Sequence, residues 1–354
     1  MRLRWLTTNV IIMIGVLLAN TVSAVTYNMT DLGTLGGSFS YAESISSNGN
    51  IVGYSQTANG SVHAFLWKDG VMQDLGTLGD RSYATAVNSK GEVVGYSTVN
   101  HGTPHAFIWR NGKMDDLGTL VGLETIAFDI NDNSQIVGYS LTSMSIFTMV
   151  THTICWQNES MQDLGIIGGI SSYATSINED GDVAGAMFSA SANTYRPFIL
   201  QQGTVTELDT LPGGYGYCYA NDINNNGWVV GIADDAYNRR HSFLWRNGTM
   251  EDIGTLGGAS GEAFAINNSG LIVGKSNIAP VSSAIHAYVW ENGVMSDLGL
   301  SSQYSSSAKD INDNGWIVGV NNSRAVLWTP VPEPSSFVVL LGAVVSVCYA
   351  KRRK

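Results

Sequence analysis

The chain has 354 residues, of which only 13% are charged and 40 are glycine, and its net charge is −11. That length admits one large β domain or two average ones, and low charge with abundant glycine fits a turn-rich β protein better than a helical one. The acidic balance argues against nucleic acid and anionic lipid headgroups as partners.

Taken in chain order, the first segment is "MRLRWLTTNVIIMIGVLLANTVSA". Arg2 and Arg4 precede an apolar run from Val10 to Leu18 and a Val-Ser-Ala end. This predicts a secretory signal cleaved after Ala24, the alternative being an uncleaved anchor. A single strand, "YNMTDLG", follows. From there the chain repeats. Asp31, Asp74, Asp116, Asp163, Glu207, Asp252 and Asp297 align on Asp-Leu-Gly with spacings of 43, 42, 47, 44, 45 and 45 residues. Between them recurs a second signature such as "YATAVNSKGEVVGYS", and then a run such as "HAFIWRNGKM".

Each unit parses into four short strands. Strand A is like Ala84 to Asn88, and a polar four-residue turn with glycine leads to strand B, like Glu92 to Ser97. After a variable loop comes strand C, like His105 to Trp109. Asn111-Gly112 then supplies a type I′ hairpin into strand D, like Lys113 to Gly118. Four strands in about 44 residues, repeated, predict propeller blades. A parallel β-helix needs a far shorter period, and a transmembrane barrel needs longer strands with aromatic girdles.

The repeat starts with a lone D strand and ends with a lone C strand, Arg324 to Trp328. The expectation is an all-β, seven-bladed propeller over residues 25–330, closed by the N-terminal strand completing the last blade and so leaving no unpaired start or finish. The hairpin register sets Trp67 against Met72, Trp109 against Met114, Trp156 against Met161, Trp245 against Met250 and Trp290 against Met295. One unit replaces both residues, with Leu200 and Val205. Across the seam the same register predicts Trp328 against Met29.

Past the repeat the chain reads "VPEPSSFVVLLGAVVSVCYAKRRK". Phe337 to Ala350 spans 14 residues, about 21 Å as a helix against a hydrocarbon core of about 30 Å. Lys351 to Lys354 predict a cytoplasmic tail. Without both ends, the 18 basic residues lose six and the 29 acidic residues lose Glu333, so the remainder carries a net charge of −16. Cys155 and Cys218 are its only cysteines, too few for a disulfide framework.

The repeated polar residues read as structure. His63, His105, His152, His241 and His286 share one position, held by Arg196 and Arg324 in the other two units. The register sets each diagonal to the strand D acid. It predicts a cation–carboxylate pair in every blade: His63–Asp74, His105–Asp116, His241–Asp252, His286–Asp297, Arg324–Asp31 and their equivalents. No metal or cofactor is expected, since the histidines are distributed over the blades and turns such as "INEDGD" lack the length and distal glutamate of a calcium loop. Ala42 and its six equivalents fit a crowded axis, and Gly53 and its equivalents predict a bulge or close backbone approach.

Function is expected on the face carrying the variable B–C loops and the D–A loops. Tyr41, Tyr83, Tyr173 and Tyr219 precede the strand A alanine and are candidates for stacking on sugar rings at the channel mouth. The alternative is half-buried packing between blades. A polysaccharide glycosidase or lyase would instead need carboxylates outside the repeat, about 5–9.5 Å apart. Its candidates are Asp80, Glu124, Asp234 and Asp235, with Arg239 and Arg240 nearby, and Asp129, Asp222 and Asp310 in the channel.

The His-Ala-Phe triplets at His63 and His105, with Asp-Leu-Gly-Thr-Leu-Gly-Gly at Asp31 and Asp252, resemble the bacterial extracellular HAF repeat family over roughly residues 25–330. The blade with Arg196, Leu200 and Glu207 departs most from that pattern. Pro332, Glu333 and Pro334, with the apolar stretch and basic end, resemble the PEP-CTERM sorting signal of Gram-negative bacteria. Together these imply an exported envelope or matrix protein, held transiently in the inner membrane by its C-terminal segment and processed by an exosortase-type enzyme. The expected role is a binding or scaffold module for exopolysaccharide or another envelope partner. A purely structural surface protein is the further alternative.

Overall fold

The computed structural model describes residues 25–332 except 100–101, 145–148, 159, 215, 281–283 and 300–303. The predicted signal with Ala24, and Glu333, Pro334 and the apolar stretch 337–350, lie outside the described residues. Pro332 is exposed and outside any strand. Among the described residues no helix is long and apolar enough to cross a membrane.

Strand β1 (Tyr27–Asp31) stands apart from the strands that follow it. Blade 1 is β2 to β5 (Gly36–Ile45, Ile51–Thr57, Val62–Lys68, Val71–Asp74), and blade 2 is β6 to β9 (Ser82–Val87, Val93–Thr98, Pro104–Arg110, Lys113–Asp116). Blade 3 is β10 to β13 (Thr125–Ile130, Ile136–Met144, Met149–Gln157, Ser160–Gly165), and blade 4 is β14 to β17 (Gly169–Ile177, Val183–Ser189, Thr194–Gln201, Thr204–Glu207). Blade 5 is β18 to β21 (Cys218–Ile223, Val229–Asp234, Arg240–Arg246, Thr249–Gly254), and blade 6 is β22 to β25 (Gly261–Ile266, Ile272–Asn277, Ile285–Glu291, Val294–Asp297). Blade 7 takes β26 to β28 (Ser306–Ile311, Ile317–Asn321, Arg324–Pro330), with β1 as its outer strand. The result is seven four-stranded antiparallel sheets, a closed seven-bladed propeller.

The hairpins form where their turn residues allow. Asn111 and Gly112 have φ of 53° and 79°, and Asn247 and Gly248 have 53° and 77°, the paired positive values of a type I′ turn. A two-residue turn fixes the register behind it, so Trp109 lies opposite Met114, Trp245 opposite Met250 and Leu200 opposite Val205. At the seam Met29 lies opposite Trp328, from the two ends of the repeat. Trp328 is fully buried there. The seam continues as Leu32 N–H donates to the Ala325 carbonyl (2.9 Å) and Val331 N–H to the Thr26 carbonyl (2.8 Å).

The core lies between blades. One cluster joins Val52, Ala64 and Leu66 of blade 1 to Ala84, Val93, Phe107 and Trp109 of blade 2. Another joins Leu32, Ala42, Ile51 and Phe65 to Val318, Ala325 and Leu327 across the seam. Strand C therefore buries both its faces, which is why it reads as an apolar run.

In every blade strand A carries a bulge directly after its alanine, opposite the strand B glycine. The glycine is required there. A Cβ on Gly95 would stand 2.0 Å from the Tyr83 carbonyl oxygen, and one on Gly53 1.9 Å from that of Tyr41. Each bulge adds one unpaired residue to strand A. Those residues (Glu43, Thr85, Phe128, Thr175, Asn221, Phe264 and Lys309) line the channel together.

Candidate functional site

Four of the predicted tyrosines lie on the inner strands, at the end fed by the D–A loops, and all four are half-buried. They do not stand alone. Because the strand A alanine pairs with the strand B glycine, the residue before the alanine pairs with the one after the glycine. This sets Tyr41 opposite Tyr54, Tyr83 opposite Tyr96, Ile126 opposite Tyr139, Tyr173 opposite Ala186 and Tyr219 opposite Ile232.

The rings then run on from blade to blade. Tyr41 stacks on Tyr54 (centroids 5.1 Å apart), Tyr54 meets Tyr83 edge-on (5.0 Å), and Tyr83 stacks on Tyr96 (4.9 Å). Further round, Phe128 and Tyr139 lead to Tyr173, then to Tyr195 and Tyr219, with Tyr217 stacked on Tyr219 at 5.9 Å. The arc is both packing between blades and an inner lining of the mouth. Sequence reasoning missed Tyr54, Tyr96, Tyr139 and Tyr195. The first three follow the strand B glycine in "VGYS", and the Ala–Gly register would have placed them. Burial pushes the Tyr96 and Tyr219 hydroxyls up to about 12 and raises Tyr54, Tyr139 and Tyr173, so these phenols stay neutral donors near pH 7.

Blades 6 and 7 break the aromatic pattern. Here Glu262 lies opposite Lys275, and Ser307 opposite Val320. Lys275 Nζ is 2.9 Å from Glu262, Arg240 reaches Glu262 at 3.8 Å, and Lys309 Nζ is 3.3 Å from Glu43 across the seam. The mouth is thus aromatic on one side and ionic on the other.

At the opposite end of the channel, the A–B turns enclose a cavity of about 340 Å³. Its wall is a ring of asparagines. Asn131, Asn178, Asn224 and Asn267 each donate from Nδ2 to the carbonyl of the next blade's asparagine at 3.0–3.1 Å, and Asn312 closes across the seam on Ser46 (3.1 Å). Their Oδ1 atoms accept from their own turns, as from Lys90 and Glu92 N–H at Asn88. "INxxG" was legible as a turn; the link between blades was not.

Asp129, Asp222 and Asp310 line this channel at alternate blades. Each carboxylate bridges to the next blade, accepting at 2.8 Å from the N–H of Ile177, Ile266 and Ile45 respectively. Ser176 Oγ sits 2.9 Å from Asp129 Oδ2 and 2.7 Å from Asp222 Oδ1. A hydroxyl carries one proton and cannot donate to both. Both contacts are hydrogen bonds only when one carboxyl is itself protonated. Burial, and the Asp310 and Asp129 charges, against the Ile266 and Ser176 hydrogen bonds, leave Asp222 raised to about 7; burial also raises Asp129 and Asp310. The lumen leaves part of each side chain open, so these groups can exchange protons with solvent.

The C–D pairs occupy the outer part of the blades. His63 Nδ1 lies 2.9 Å from Asp74, His105 2.9 Å from Asp116, His152 3.0 Å from Asp163, His241 2.8 Å from Asp252 and His286 2.8 Å from Asp297, while Arg324 Nε lies 3.2 Å from Asp31. The same aspartates accept from the glycine two residues on, as Asp74 does from Gly76 N–H (2.8 Å), so Asp-Leu-Gly is one turn serving two bonds. Blade 4 corrects the expectation of a pair in every blade. There Arg196 donates instead to the Gly216 carbonyl (3.0 Å). Glu207, with Asp209 where the others have glycine, has no such turn to aim its carboxylate.

The enzyme candidates outside the channel each have their own local partner. Asp80 is exposed beside Arg81 (3.6 Å), Glu124 accepts from the Tyr139 hydroxyl, Asp234 accepts from Tyr217 N–H (3.0 Å), and Asp235 pairs with Arg239 (2.6 Å). Among the described residues no cluster of His, Cys, Asp or Glu is arranged to hold a metal ion. Cys155 and Cys218 are free thiols in different blades, and burial pushes Cys218 up to about 12.

Ring, seam and mouth define the class: a closed propeller of seven four-stranded blades whose first strand completes its last sheet. No protein-family model matches the chain, and no curated protein sequence does. Solved structures do resemble it. A catalytically inactive virginiamycin B lyase from Staphylococcus aureus, solved with quinupristin, superposes with a TM-score of 0.55 at 12% identity, covering 86% of this chain and 100% of that one. The β-propeller domain of the trilobed protease from Pyrococcus furiosus, described as having an open velcro topology, gives 0.53 at 12% identity over 72% of this chain and 82% of that one. A puromycin-hydrolysing peptidase of Mycobacterium tuberculosis gives 0.55 at 9% identity, over 86% of this chain and 53% of that one. At such identities the likeness is one of fold alone.

Proposed function

We propose that this chain is an exported glycan-binding propeller of the bacterial cell envelope or extracellular matrix, of the HAF repeat kind, sorted by a PEP-CTERM signal through an exosortase-type enzyme. The observation that carries the binding role is the aromatic arc from Tyr41 to Tyr219 at the channel mouth. Tyrosine rings offer flat apolar faces to sugar rings and hydroxyls to their polar edges. The export half rests on the two terminal segments and the His-Ala-Phe motifs. The enzyme reading is less supported, because Asp80, Glu124, Asp234 and Asp235 each have a local partner, and the channel acids Asp129 and Asp222 are held by Ser176 and by backbone N–H groups.

The test is a glycan array and pull-down with the purified full chain against envelope and matrix polysaccharides. Retention on at least one glycan is expected, weakened about fivefold or more by Tyr217→Ala, which removes the exposed ring at the end of the stack on Tyr219. Failure to retain any polysaccharide would count against the glycan role.

A further inference from the structure

The cleft between blades 3 and 4 lacks a side chain that the other clefts hold. Elsewhere the Trp near the end of strand C packs on the preceding blade. Trp109 shares a core cluster with Leu66 and Leu75 of blade 1, and Trp328 shares one with Val289 and Leu298 of blade 6. Trp156 donates its indole N–H to the Leu117 carbonyl of blade 2 (3.2 Å). Blade 4 has Leu200 in that place. Its cleft measures about 890 Å³, against about 480 Å³ for the equivalent one beside Trp156. The walls show the loss. Leu164, the counterpart of Leu75 and Leu298, is 37% exposed where they are 6% and 8%. Cys155, the counterpart of Leu66 and Val289, is half-buried where they are buried. The rim is acidic: Asp180 and Asp182 line the cleft, with Gln201 Nε2 donating to Asp182 (2.7 Å), and no Lys or Arg lines it. From Met114 to Tyr195 the sequence has ten Asp and Glu and neither Lys nor Arg. The flanking cations are engaged elsewhere, Lys113 with Asp115 and Arg196 with the Gly216 carbonyl. Lys90 reaches blade 3 at Ser134 Oγ (3.2 Å), which lines the neighbouring cleft.

We infer that this cleft is the docking site for a basic segment of another protein, seated by an inserted tryptophan with Lys or Arg beside it. The other six blades show what fits between such walls, an indole against the leucine or isoleucine of the preceding blade's strand D turn. A Trp anchor entering a preformed apolar pocket gives such a contact most of its affinity. The acidic rim selects the flanking bases. Among the described residues no tryptophan is exposed, so the folded ring of a second copy does not supply the indole. The site is bordered by the A–B and C–D turns of blade 4, away from the mouth, and is independent of the glycan role.

The experiment measures binding of the purified full chain to labelled pentapeptides Lys-Lys-X-Lys-Lys, X being each amino acid in turn, by fluorescence anisotropy. The tryptophan peptide should bind about tenfold or more tightly than the alanine one. Glu-Glu-Trp-Glu-Glu should not bind. Leu200→Trp restores the indole of the other blades. It should weaken the tryptophan peptide about tenfold or more, with a melting temperature equal to or above that of the parent. Leu164→Gln, at an exposed position, should weaken the same peptide several-fold and keeps the test open where the first variant does not fold. Equal binding of the tryptophan and alanine peptides overturns the inserted indole, since the acidic surface then holds any basic peptide. A tryptophan preference that neither substitution lowers puts the indole at another place, such as the tyrosine mouth, and overturns the cleft. No binding of any peptide overturns the docking site as a whole and leaves the glycan role untouched.

Discussion

A single hydroxyl between two carboxylates makes Ser176 the most constrained residue of the channel. With Asp222 protonated, its O–H donates to Ser176 Oγ and the serine donates to Asp129. With both acids ionised, one contact turns repulsive. Asp222 is raised in the folded chain to about 7 from an ordinary value of 3.8. A raised acid stabilises the fold fully below the unfolded value and loses that contribution as pH rises through the folded one. Stability from this group should therefore decline between about pH 4 and pH 7, by up to about 4 kcal/mol. Asp222→Asn should lower the urea midpoint at pH 5 and flatten its change from pH 5 to pH 7.5. An unaltered pH dependence in that variant would show that the shared proton is not there. Asp129 and Asp310, also raised, act in the same direction.

At the level of the strand, the Ala–Gly pair is the unit that repeats with function attached. The glycine admits the neighbouring carbonyl, the bulge follows, and the bulged residue reaches the channel. Gly95→Ala must push strand A away from strand B at the Tyr83 carbonyl, 2.0 Å from the new methyl. It should cost about 3 kcal/mol, read as a shift in the denaturation midpoint. Gly102→Ala, with open space around it and a φ of 81°, should cost only about 1 kcal/mol. Equal losses at the two sites would mean the bulge is not strained by a side chain. The glycine's role was legible as a bulge or close approach. Which carbonyl it admits, and that the displaced residue faces the lumen, depended on the paired strand.

For the whole molecule, closure depends on a strand that is first in sequence and last in its sheet. The ends of the ring meet where Val331 N–H bonds to Thr26, so they can be joined by a short linker. A circular permutant with that link and new ends at the exposed Gly122 would build every blade from consecutive strands. It should fold with the same β spectrum and melt about 5–10 °C lower, because closure would then rest on blade packing without a shared sheet. An equal melting temperature would show that the strand exchange adds nothing to stability.

The period, the four strands per unit, the hairpin register and the seam were all contained in the order of residues, because each depends on local turn chemistry and on alternation along a strand. Trp328 could be set against Met29 from spacing alone. Which side chains share the channel was decided only by the ring. Asp129, Ser176 and Asp222 come from three successive blades, and Glu43 meets Lys309 only because blade 7 lies beside blade 1. Those contacts run sideways between blades, and a side-chain reach across that gap is set by blade twist and closure, which no stretch of a single repeat encodes.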